Sequence, residues 1–133
     1  MKDRIIQPIL AVIGGFLGFL YGDLNGLMYA LIAFIIIDYV TGVTCGIAKH
    51  RLSSAIGFHG IAKKMLILML VAVAHILDTC IIGNGAVIMS AVECFYIANE
   101  GISILENAGK LGLPLPKKMV TILEQLKSES ENK

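Results

Sequence analysis

Residues 27–48 read LMYALIAFIIIDYVTGVTCGIA, an apolar run broken by one charge, Asp38. A helix rises about 1.5 Å per residue, so an apolar core of about 30 Å takes roughly 20 such residues to cross. The run therefore reads as a membrane-crossing helix. Three further runs flank it. Residues 5–22 carry no charge. Residues 65–82 contain His75 and Asp78, and residues 86–105 contain Glu93 and Glu100. The fourth run is the least apolar because of its two carboxylates.

Composition agrees with lipid as the solvent. The chain has 133 residues, of which 56% are hydrophobic and 16% charged, with no Trp. Its mean hydropathy is +0.80. A soluble domain this small needs polar sequence to cover its thin core, and here there is too little. The expectation is an all-α integral membrane protein: one membrane domain over residues 1–127, with four spans at 5–22, 27–48, 65–82 and 86–105. The basic start and first apolar run could pass for a signal peptide, but no small-residue cleavage pattern follows. That run is read as a retained span.

The joints set the topology. Gly22-Asp23-Leu24-Asn25-Gly26 and Gly83-Asn84-Gly85 are tight turns, rich in residues that tolerate positive φ. Each makes its neighbouring spans an antiparallel hairpin. Residues 49–64 read as an interfacial loop, in which Ser53 and Ser54 can cap a short helix. Leu113-Pro114-Leu115-Pro116 ends the fourth helix. Residues 117–127 then read as a short amphipathic helix with Met119, Ile122, Leu123 and Leu126 on one face. Residues 128–133 form a polar tail without expected order.

The basic residues give orientation. Lys2 and Arg4 precede the first span. Lys49, Arg51, Lys63 and Lys64 lie between the second and third. Lys110, Lys117, Lys118, Lys127 and Lys133 follow the fourth, which accounts for all 11. Cytoplasmic segments are enriched in Lys and Arg. A multi-pass membrane protein with both termini cytoplasmic follows. Lys49, Arg51, Lys63, Lys64, Lys117 and Lys118 are assigned to the headgroup layer, where anionic lipid explains them without nucleic acid.

Ionisable groups inside the spans are the candidate functional residues, because a charge in hydrocarbon needs a partner or water. Asp38 and His75 are expected near mid-depth and are a plausible pair. Asp78 and Glu93 share the outer half, and Glu100 lies towards the inner side. Glu93, Tyr96, Glu100, Ser103 and Asn107 fall within about an 80° arc at roughly 100° per residue, one polar stripe along the fourth helix. Thr41 lies on the Asp38 side of the second. The stripe reads as a wet or oligomeric surface, while each residue singly reads as structural. Gly14, Gly18 and Gly22 share one face of the first span, and Gly42 and Gly46 repeat the spacing on the second. Such faces let helix backbones approach closely.

Enzymatic constellations are absent. There is no phosphate loop, nucleophile elbow or His-Glu-x-x-His pattern, and no cofactor is expected. Cys45, Cys80 and Cys94 are odd in number and not spaced as ligands, so they read as packed or lipid-facing residues.

Three stretches together resemble the toxin-secretion and phage-lysis holin family. They are Ile37-Asp38-Tyr39-Val40-Thr41-Gly42 followed by Lys49-His50-Arg51-Leu52-Ser53-Ser54; Gly57-Phe58-His59-Gly60-Ile61-Ala62-Lys63-Lys64; and Asn99-Glu100-Gly101-Ile102-Ser103-Ile104-Leu105-Glu106-Asn107 followed by Gly112-Leu113-Pro114-Leu115-Pro116-Lys117-Lys118. The similarity covers positions 25 to 127. Asp38, Ser54, Gly57, Gly60, Lys64, Glu100, Ser103, Pro114 and Pro116 look like the family's recurrent positions. The resemblance implies a non-enzymatic protein that forms homo-oligomers, opens lesions or pores in the bacterial cytoplasmic membrane, and so lets an endolysin or toxin out and the host lyse. Two alternatives stand beside it. One is an ion-coupled small transporter or channel subunit. The other is a membrane scaffold or holin antagonist.

Overall fold

The computed structural model describes residues 1–132 and is helical throughout, with no strand among the described residues. Its elements are α1 (Lys2–Tyr21), α2 (Gly26–Ala48), α3 (Ser54–Ile76), a wider π-helical continuation of α3 over Leu77–Ile82, α4 (Val87–Lys110) and α5 (Lys117–Glu131). Four helices are long and apolar enough to cross a membrane: α1, α2, α3 with its continuation, and α4.

Local chemistry sets the ends. The Asn25 side chain accepts from Met28 N at 3.0 Å and starts α2. The Ser53 hydroxyl accepts from Ile56 N at 3.2 Å and starts α3. Each satisfies one of the donors that a helix N-terminus leaves unpaired. Both tight turns are present, with Gly22 at φ 65° and Gly83 at φ 95°.

Three features differ from the sequence reading. The helix capped by Ser53 is α3 itself, so the interfacial loop shrinks to residues 49–53 and α3 gains three turns at its N-terminal end. Gly57 and Gly60 do not bend this stretch. A Cβ at either would stand at ordinary contact distance, 3.6 Å, from the Tyr39 hydroxyl or ring, so this part of α3 lies against α2. The last helix runs on through the expected tail to Glu131; Lys133 lies outside the described residues.

α4 is the central helix, packed against α2, α3 and α5. Met28, Leu31 and Ile35 of α2, Ile67, Val71 and Ala74 of α3, and Met89 and Ile97 of α4 form the apolar core. α1 packs on α3 alone and buries no residue of its own, so the first hairpin is splayed rather than closed. The outward faces of α2 and α3 carry Ile36, Val40, Leu66, Met69 and Val73, all exposed. The buried positions include Asp38, Asp78, Glu93, Glu100 and Asn107. Polar groups inside and apolar groups outside are the arrangement a lipid solvent demands.

Candidate functional site

The extra turns of α3 bring Lys64 beside Asp38. The ammonium forms ion pairs with Asp38 of α2 and with Glu100 of α4, joining three helices at one point. Asp38 is 12 residues from the N-terminal end of α2, which at 1.5 Å per residue puts it about 18 Å along the helix, near mid-span. The second Asp38 oxygen accepts from Asn107 Nδ2 at 3.2 Å, and the same amide donates to Thr41 Oγ1 at 3.0 Å. Ser103 is half-buried between Glu100 and Asn107 on α4. Cys45 Sγ reaches the Asn107 carbonyl at 3.2 Å. Two carboxylates face one ammonium, so the cluster carries a surplus negative charge unless a proton is shared between them.

The other candidates separate from this cluster. His75 is not Asp38's partner. It lies some three turns further along α3, where its imidazole closes on Gly22; a Cβ there would come within 2.8 Å of it. The pairing failed because α3 starts earlier than its apolar run, so a residue nearer its start faces Asp38. Asp78 is structural. Its carboxylate accepts from Ile88 N at 3.1 Å and from Met89 N at 2.8 Å, capping α4 from the π-helical stretch. Tyr96 packs edge-on against Phe95 with ring centroids 5.0 Å apart.

Glu93 is different from all of these. It is 0% exposed, and neither carboxylate oxygen has a hydrogen-bond partner among the described residues. The α4 stripe is therefore an inward face. Glu93, Glu100 and Asn107 are buried, and Tyr96 and Ser103 half-buried. None of them forms a free wet surface in this arrangement.

The glycine faces also divide. A Cβ at Gly42 would meet Asn107 at 3.7 Å, and one at Gly46 would meet Leu52 at 3.3 Å. Gly14, Gly15 and Gly18 meet nothing within 4 Å. Lys49, Arg51, Lys63, Lys117 and Lys118 are exposed. Lys64 alone among the six expected interfacial cations lies inside the bundle. Sequence reasoning missed Gly101. A Cβ there would stand 3.0 Å from the Leu123 methyls and 3.1 Å from the Phe34 ring, so glycine lets α5 seat closely on α4. Gly101 stood in one of the three resembling stretches, but no spacing argument singled it out.

Comparison with known proteins bears on this architecture. A bacteriophage holin family model matches residues 15–128, most of the chain. The chain belongs to the bacteriophage holin family. Among similar proteins is a probable holin of Bacillus phage phi105, 36% identical over 86% of this chain and 84% of that one. An uncharacterized protein of Halalkalibacterium halodurans is 39% identical over 96% of this chain and 97% of its own length. An uncharacterized protein of Clostridium perfringens strain 13 is 40% identical over the full length of both chains. No solved structure matches significantly. Holin membership and four apolar helices agree on a multi-pass protein of the cytoplasmic membrane.

Proposed function

We propose that this holin-family chain oligomerises in the cytoplasmic membrane and opens lesions that release an endolysin or toxin and lyse the host. One observation carries the reading: four carboxylates, Asp38, Asp78, Glu93 and Glu100, are closed inside a bundle whose outward surface on α1, α2 and α3 is apolar. Such a bundle is compatible with lipid while closed and holds the polar surface that an aqueous opening needs. Glu93 is the least satisfied group in it, since burying a polar group without a hydrogen bond is unfavourable. Separation of α4 from α2 and α3 hydrates Glu93 and exposes the Lys64 cluster. Association of copies uses α1, whose Gly14 and Gly18 are open to another backbone.

The Lys64 cluster also favours a second reading, a proton-coupled small transporter or channel subunit, because acids and a base meet there at mid-span. The two readings part on induced expression with and without a co-expressed endolysin. A holin gives abrupt growth arrest, early triggering by an uncoupler, and lysis only with the endolysin. A graded, ion-selective flux in growing cells would replace the holin reading with the transporter one.

A further inference from the structure

α5 does not lie at the level where an amphipathic helix is expected. Leu115 packs at Gly109 and Leu123 at Gly101, so α5 folds back along α4, antiparallel to it. Leu126 and Glu129 continue this course to the level of Val92 and Tyr96. Gly101 is nine residues from the α4 terminus at Lys110, about 14 Å at 1.5 Å per residue. The docked helix thus reaches mid-span. Its apolar face enters the groove between α2 and α4, lined by Phe34, Ile37 and Ile104. Its opposite face carries Glu124, Gln125 and Ser128, all exposed, with Glu131 beyond them.

That outer face is incompatible with hydrocarbon. Charged side chains at this depth face water or a polar partner. The rest of the outward surface at this depth is apolar on α2 and α3, so the mismatch is confined to one side of the bundle. Resting on the lesion-forming reading above, we propose that the docked position of α5 belongs to the first stage of opening, before α4 parts from α2 and α3 and Glu93 is hydrated. There its Glu124–Ser128 face lines the aqueous path, and in a chain surrounded by lipid α5 lies instead at the cytoplasmic headgroups. The side of the bundle formed by α2, α4 and α5 is thereby the wet side. Gly101 is the seat that admits Leu123 when the helix swings in.

The test fixes α5 in place. A chain lacking native cysteines and carrying Ile104→Cys and Met119→Cys, on opposite walls of the groove, is bridged with a short bis-maleimide and reconstituted in phosphatidylethanolamine–phosphatidylglycerol vesicles holding a fluorescent dye. The bridged chain is expected to release dye several-fold faster than the unbridged one. Gly101→Val, which fills the seat, is expected to slow release while helix content is unchanged. A fluorophore at Ser128→Cys in the bridged chain is expected to be quenched by an aqueous quencher rather than by lipid-borne quenchers. Release from the unbridged chain with equal or lower release from the bridged one overturns this proposal and leaves the holin reading standing. Absence of release from both overturns the two together.

Discussion

Lys64 holds two carboxylates from two other helices, so its removal has a defined cost. Taking one partner from a buried ion pair destabilises by about 3–5 kcal/mol, because the remaining charge is left uncompensated. Lys64→Met is expected to lower the melting temperature in detergent sharply, and Asp38→Asn with Glu100→Gln in the same chain to restore most of it. Equal melting of Lys64→Met and the parent chain would remove the cluster from the account of stability. Glu93 has the opposite sign. Its oxygens have no partner among the described residues, and an unsatisfied buried group costs about 1–3 kcal/mol. Glu93→Leu is expected to raise the melting temperature and delay lysis at equal membrane abundance; earlier lysis would contradict the hydration step. The presence of acids inside the spans was legible from their positions alone. Their partner was not. A lysine at the edge of an apolar run ordinarily marks the headgroup layer, and Lys64 follows directly on Lys63. What hid it was the continuity of Ala55–Ala62, whose Ile56, Phe58 and Ile61 extend the helix past two glycines that looked like a bend.

Among the elements, the spans were readable because each has the length and hydropathy to cross, and because Gly, Asn and Pro punctuate them. Which way a polar stripe turns was not readable. A stripe on α4 has the same period whether it lines water or faces α2 and α3, and only packing chooses between these. The same holds for the glycine ladder on α1. Gly22 is occupied by His75, while Gly14 and Gly18 are open. Replacing both open glycines with Leu is expected to leave the single-chain bundle intact, since nothing lies within 4 Å of either added Cβ. Chemical cross-linking of membranes should then show fewer higher oligomers. Undiminished cross-linking would move the association surface elsewhere. For α5, the apolar face was plain from its spacing, but its direction was not, because Gly101 is informative only once Leu123 is seen against it.

At the scale of the whole molecule, the basic residues argue for both termini inside and two short turns outside. In a background without native cysteines, Gly85→Cys is expected to react with an impermeant thiol reagent added outside intact cells, and Lys118→Cys only after permeabilisation. Labelling of both from outside would require α4 not to cross. The three-helix ion cluster has a further consequence, for the order in which the chain enters the membrane. Lys64 follows Asp38 by 26 residues, and Glu100 follows Lys64 by 36. At a synthesis rate of about 5–20 residues per second, Asp38 waits seconds for its cation and longer for the second acid. The nascent α1–α2 pair therefore holds an acid with no cation beside it, which is unfavourable in hydrocarbon. The expected order is that this pair settles fully into lipid only once α3 has brought Lys64 to it.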